Sequence, residues 1–164
     1  MENNYFRYGE SSYFCIPMKE VNTYLNRLIP IADELVPAEV DLYTSPVPAG
    51  FPSEAFNYME KGIDFNKMLI KDKECTFCLY AGGNSLSGDG IFIGDLLVVD
   101  KLKEPYENAI LIFSIDGEFT MKRLEYRKDH VALVSSNPDF PPLIVKQGEE
   151  LKRWGVVRFV IKKF

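Results

Sequence analysis

A mostly β body of about six or seven short strands, with one or two short helices and a long extended N-terminal arm, is the fold class this sequence predicts. Three observations predict it. Past residue 50 the chain is a succession of short runs rich in Val, Ile, Leu, Phe and Tyr, each ended by a Gly, Asn, Asp or Pro turn signal. Before residue 50 the composition differs: five of the ten prolines lie there, at Pro17, Pro30, Pro37, Pro46 and Pro48. The whole chain has 164 residues, 46% hydrophobic and 26% charged, which suits one compact core with some spare length and no need of disulfides or metals to hold it.

The arm, residues 1–49, carries more carboxylates (Glu2, Glu10, Glu20, Asp33, Glu34, Glu39, Asp41) than basic residues (Arg7, Lys19, Arg27). Val21, Leu25, Leu28 and Ile29 recur at helical spacing, so a short amphipathic helix is predicted from about Lys19 to Ile29, closed by Pro30. Such a helix could pack on the body or serve as a regulatory, partner-binding element, and periodicity leaves both open. Tyr43 to Gly50 should be extended, because each proline disfavours helix in the residue before it. An extended segment is the shape in which a peptidase binds substrate.

After Gly50 the character changes. Ser53 is a good N-cap for a helix through about Lys61, with Gly62 able to close its C-terminus. A short helical turn is predicted around Asn66 to Ile70. The β-type runs follow at Thr76–Ala81, Asp95–Asp100, Ala109–Ile115, Glu118–Tyr126, His130–Ser135, Leu143–Lys146 and Trp154–Ile161. Gly88-Asp89-Gly90, Asp116-Gly117 and Asn137-Pro138 punctuate them, and Asp116-Gly117 between two such runs is a hairpin signal.

The net charge of −5 and pI near 5.0 argue against a surface that grips nucleic acid by neutralising phosphates, so no direct sequence-specific DNA binding is expected. Action on DNA through a partner protein stays compatible with an acidic chain. Three cysteines, Cys15, Cys75 and Cys78, form an odd, sparse set that fits a reducing compartment. Cys75 and Cys78 have Cys-x-x-Cys spacing, but there is no second pair and His130 is the only histidine, so a zinc site would need carboxylates. Core packing on a strand is the simpler reading, and no metal or cofactor is expected. The N-terminus is acidic and polar, and no apolar stretch is long enough to span a bilayer. A cytoplasmic protein without membrane attachment is the expectation.

One loop could carry chemistry. Ser85 lies in Ala81-Gly82-Gly83-Asn84-Ser85-Leu86-Ser87-Gly88-Asp89-Gly90, directly after a predicted strand. Glycines before a serine let the backbone approach a carbonyl closely and expose neighbouring N–H groups. Gly-rich loops with serine are also common turns, and the absence of a Gly-Lys-Ser/Thr ending removes the phosphate-loop reading. A serine hydroxyl needs an adjacent base to become a nucleophile. A Ser-His-Asp arrangement would have to use His130. A lysine serves only where desolvation keeps it neutral. Lys122 falls mid-strand in Glu118-Phe119-Thr120-Met121-Lys122-Arg123-Leu124, on the face of Thr120 and Leu124. Periodicity alone does not separate a desolvated lysine from one on a solvated strand face.

Four ordered motifs add a resemblance. Ala49-Gly50-Phe51-Pro52-Ser53 looks like a cleavage site of the Ala/Cys-Gly type, Gly83-Asn84-Ser85-Leu86 resembles a Gly-x-Ser-Met nucleophile motif, and Gly94-Asp95-Leu96-Leu97-Val98-Val99-Asp100 matches the strand that follows it. Gly117-Glu118-Phe119-Thr120-Met121-Lys122-Arg123-Leu124 resembles the segment carrying the base, 37 residues beyond the serine. Residues 50–164 thereby resemble the UmuD type of the LexA/UmuD serine peptidases, the self-cleaving subunit of error-prone DNA polymerase V, and more distantly the C-terminal domains of LexA and phage repressors.

The resemblance implies a LexA/UmuD-like β fold over residues 50–164, with Ser85 as nucleophile and Lys122 as general base. Backbone N–H groups of Asn84 and Ser85 would hold the oxyanion, and Ala49–Gly50 would be the bond cut, releasing residues 1–49. It further implies a homodimer, cleavage promoted by a RecA filament on single-stranded DNA, and a processed product that joins a UmuC-type DNA polymerase in SOS translesion synthesis. Two substitutions depart from the pattern: Leu86 stands where Met is usual, a volume-conserving swap, and Asn84 stands where UmuD proteins have Asp. The arm is longer than in UmuD proteins and shorter than the LexA DNA-binding domain, and it has no helix-turn-helix pattern. Two alternatives remain: a self-cleaving transcription regulator of the LexA or phage-repressor kind, and a partner-binding module with an idle dyad. A signal-peptidase relative acting in trans would need a membrane anchor.

Overall fold

The computed structural model describes residues 29–32, 34–37, 39–43, 59–115, 118–145 and 152–164. Along the chain these form β1 (Ile29–Pro30), β2 (Glu39–Tyr43), β3 (Met59–Asp64), α1 (Phe65–Leu69), β4 (Thr76–Tyr80), β5 (Leu96–Asp100), β6 (Ile110–Ile115), β7 (Glu118–Tyr126), β8 (Val131–Val134), β9 (Leu143–Val145) and β10 (Lys152–Ile161). The mostly β expectation holds. Each of the seven runs predicted between residues 76 and 161 is a strand, within about two residues at its ends.

The described residues divide into two compact units. In the unit of residues 32–71, β2 and β3 pair antiparallel and β3 leads into α1. Asp64 caps α1: its carboxylate accepts from the Asn66 and Lys67 N–H groups at 3.0 and 3.3 Å. The helical turn predicted at residues 66–70 is therefore present. The helix predicted from Ser53 to Lys61 is not, over its described part: residues 59–62 are strand. Gly62 explains the misreading. A Cβ there would sit 2.8 Å from the Val40 carbonyl oxygen, so the glycine permits close approach of β2 and does not close a helix.

The other unit, residues 72–164 with 29–31, is built on an eight-stranded antiparallel sheet in the order β1-β4-β5-β10-β6-β7-β8-β9. The predicted helix from Lys19 to Ile29 lies outside the described residues except at Ile29, which is in β1 opposite Cys78. Pro30 lacks an N–H to give a ladder, and β1 is correspondingly an edge strand. β10 is long because it serves two neighbours: residues 152–156 pair with β6 and residues 156–161 with β5.

The sheet buries both faces, which is why its strands read as nearly continuous apolar runs. One cluster holds Phe77, Leu97, Val99, Ile112 and Val157, with Leu86 and Ile91 contributed by the loop between β4 and β5. The other holds Leu111, Phe113, Leu124, Leu133 and Val156. Neighbours in sequence, such as Leu111 and Ile112, fall into opposite clusters because strand side chains alternate. Phe119 and Trp154 pack edge to face at 5.1 Å beside the first cluster. β6 and β7 form the hairpin expected at Asp116-Gly117, with Ile115 opposite Glu118.

Cys75, in the turn before β4, and Phe77, within it, are buried, as the core-packing reading expects, but Cys75 is disulfide-bonded, which departs from the reducing-compartment reading of the cysteines. Cys78 is a half-buried free thiol whose pKa burial pushes up, the opposite of a reactive cysteine. Among the described residues no helix is long and apolar enough to cross a membrane.

Candidate active site

The loop that carries Ser85 is closed on itself before it meets anything else. Ala81 donates its N–H to the Asp95 carbonyl (2.8 Å) and accepts at its own carbonyl from Gly94 N–H (2.9 Å), pinning the two ends together. Inside, the Leu86 carbonyl accepts from both Asp89 and Ile91 N–H groups, at 3.0 and 3.1 Å, around a 3-10 turn at Ser87–Asp89. Leu86 itself is fully buried in the core. The residue next to Ser85 therefore anchors the loop, while Ser85 stays half-buried at its rim and Asn84 is exposed. Among the described residues, neither the Asn84 nor the Ser85 N–H has an acceptor, whereas both of their carbonyls accept hydrogen bonds. A Cβ added to Gly82 or Gly83 would meet nothing within 4 Å, so the backbone there faces open space.

The wall opposite is β7. Ser85 Oγ donates to the Met121 carbonyl oxygen at 3.3 Å, which sets the hydroxyl beside the backbone of the residue before Lys122. Lys122 Nζ donates to Ser135 Oγ at 2.5 Å and lies 5.0 Å from the centre of the Phe140 ring. Burial pushes the Lys122 ammonium below the ordinary lysine value, and among the described residues it forms no ion pair. Ser85 and Lys122 line one cleft of about 310 Å³ with Gly82, Gly83, Asn84, Phe119 and Phe140, over an apolar floor that includes Leu97 and Ile112. The fold thus brings Ser85 and Lys122 to one cleft, with the serine hydroxyl bonded to the neighbouring carbonyl and not to the lysine amine.

The segment after β8, where the sequence offers only the Asn137-Pro138 turn signal, completes the site. Asn137 donates its side-chain N–H to the Asn84 carbonyl (3.1 Å) and its backbone N–H to the Ser85 carbonyl (3.1 Å). Ser136 Oγ accepts from Asp89 N–H at 3.0 Å. Gly88 is required at this seam, since a Cβ would come 2.6 Å from the Ser136 carbonyl oxygen. Arg123, on the face of β7 away from Lys122, forms an ion pair with Asp89 and so ties the strand to the serine loop.

His130 is bonded to Asp129 at 2.8 Å in the turn after β7 and is not among the cleft-lining residues, which removes the Ser-His-Asp alternative. Among the described residues, no three His, Cys, Asp or Glu side chains gather as a metal site would need. Ala49 and Gly50 lie outside the described residues.

The arrangement is a serine hydroxyl, a desolvated lysine and two unoccupied backbone N–H groups around an apolar cleft. The peptidase S24-like family model matches residues 41–158. Protein SamA of Salmonella typhimurium is 41% identical over 136 residues, covering 83% of this chain and 94% of that protein. Protein ImpA of Escherichia coli is 40% identical over 133 residues (77% and 90%), and Protein MucA of Escherichia coli 32% over 119 residues (72% and 81%).

Proposed function

The chain belongs to the peptidase S24-like family, as a UmuD-type member, and on that premise we propose that it cuts its own Ala49–Gly50 bond with a Ser85–Lys122 dyad. The observation that carries this reading is the cleft itself: Ser85 Oγ donates to the Met121 carbonyl, one residue from a lysine whose pKa burial lowers. In the reaction, Lys122 as the neutral amine takes the Ser85 proton while Oγ bonds to the Ala49 carbonyl carbon. The Asn84 and Ser85 N–H groups hold the resulting oxyanion. The C–N bond to Gly50 then breaks as Lys122 returns the proton to the departing amine, leaving Ala49 as an ester on Ser85. Water, deprotonated by Lys122, releases it. Gly50, with no side chain, lets the scissile bond enter a narrow cleft.

Beyond the cut, the reading includes a homodimer, stimulation by a RecA filament on single-stranded DNA, and a processed 50–164 product that serves a UmuC-type polymerase in SOS translesion synthesis. Intact-mass spectrometry of the purified chain tests the core of it. The protein is incubated at neutral and alkaline pH, with and without RecA, single-stranded DNA and a nucleotide, beside Ser85→Ala and Lys122→Ala. A fragment beginning at Gly50, formed faster at high pH and absent from both variants, is the expected result. A wild-type chain that stays uncut in every condition sinks the peptidase reading and favours a partner-binding module.

A further inference from the structure

A lysine that acts as a base needs more than a depressed affinity for protons; its lone pair has to point at the hydroxyl it deprotonates. A free four-carbon stem does not achieve that alone. Two contacts restrain Lys122 at its tip, the Phe140 ring at 5.0 Å and Ser135 Oγ at 2.5 Å. The ring offers a face without direction, whereas the hydroxyl offers a directed bond.

The placement of Ser135 follows from sheet register. β7 and β8 pair with Leu124 opposite Leu133 and Arg123 opposite Val134. The next pair in that register is Lys122 with Ser135, one step past the end of β8, and residues directly opposite share a face. The following residues, Ser136 and Asn137, are bonded to the serine loop. Ser135 is therefore fixed from both sides, by β8 before it and by the loop seam after it.

Resting on the dyad reading above, we propose that Ser135 is a positioning residue, a neutral hydroxyl that orients the Lys122 amine toward Ser85 in a Ser85–Lys122–Ser135 relay. A neutral lysine has two N–H donors and one lone pair. Giving one N–H to Ser135 Oγ leaves the lone pair for the Ser85 proton. When that proton arrives, the same bond becomes charge-assisted and about twice as strong, so it favours the transition state over the ground state. A carboxylate in this position would instead hold the proton on the lysine before reaction. The charged and titratable groups around the amine fit this. Arg123 is engaged with Asp89 on the other face, Tyr80 lines the cleft wall, and Asp139 is exposed on the segment that carries Phe140.

The test uses the full chain and compares Ser135→Thr with Ser135→Val, which differ by a hydroxyl against a methyl, with Ser135→Ala beside them. Self-cleavage rates are followed by intact mass from neutral to alkaline pH, and melting temperatures are recorded. Ser135→Val and Ser135→Ala should lower the limiting rate at alkaline pH, where Lys122 is neutral, by roughly 10- to 100-fold. Ser135→Thr should stay close to wild type while melting at the same temperature as Ser135→Val. Wild-type rates in Ser135→Val at every pH, beside a dead Lys122→Ala, would overturn the role of Ser135 and leave the dyad standing. Equal losses in the Thr and Val variants would also overturn it, because space and not the hydroxyl would then be what the site needs. Failure of the wild type itself to cleave would remove the dyad reading, and this role with it.

Discussion

The two halves of β7 differ although nothing in their composition announces it. Residues 123–126 pair with β8 on one side, and Leu124 is fully buried in the second core cluster. Residues 118–122 pair with β6 alone, because β8 ends at Val134. That second edge, with its backbone groups unused by a neighbouring strand, faces the serine loop, and the Met121 carbonyl accepts the Ser85 hydroxyl there. The site exists where pairing stops. A strand continued by one more neighbour would give a thicker core and no cleft.

If the halves are as separate as this, substitutions in each should fail differently. The largest effect belongs to the free half. Lys122→Ala should slow self-cleavage by at least about 100-fold, in the range a general base supplies, while thermal unfolding stays close to wild type. A large loss of stability in that variant would break the distinction. In the paired half, Leu124→Ala should cost about 2–5 kcal/mol, the range for deleting a buried leucine side chain, measured by urea unfolding. The folded fraction should still cleave at a rate near wild type. Smaller again is the seam between the loops. Asn137→Ala removes the bond to the Asn84 carbonyl and should cost about 1 kcal/mol, with a several-fold slower cut if that seam holds the oxyanion donors in line.

The same division explains what could be read from the amino acids. The strands were legible because their apolar runs are bounded by local turn signals such as Asp116-Gly117, while the Gly-rich loop made Ser85 a candidate that only the motif resemblance singled out. Lys122 was legible only through motif resemblance, since alternation along β7 gives its face but not whether a strand covers it. Ser135, Phe140 and the Met121 carbonyl were not found, because each contributes through contacts whose partners lie far away in sequence. One signal was available for Ser135: once Tyr126 is paired with Val131, the hairpin register carries Lys122 opposite residue 135. Gly62 was misread because a glycine admitting a neighbouring strand and one ending a helix look identical in sequence.

The comparison can be sharpened by stability alone, with no cleavage measured. Burial disfavours the charged form of Lys122, so its folded pKa lies below the ordinary lysine value of 10.5. Between those two values the unfolded chain binds more protons than the folded one, and stability rises with pH across that window. The penalty is absent above the ordinary value, accumulates as pH falls through that window, and is complete below the folded value. Lys122→Met keeps the stem and removes the charge, so it should melt slightly above wild type near neutral pH, with the gap narrowing as pH climbs toward 10.5. A Lys122→Met protein less stable than wild type at neutral pH would mean that the Ser135 bond and the Phe140 ring outweigh desolvation. The lysine would then be a structural tie belonging with the paired half of β7, and burial would not favour the neutral amine that the dyad needs.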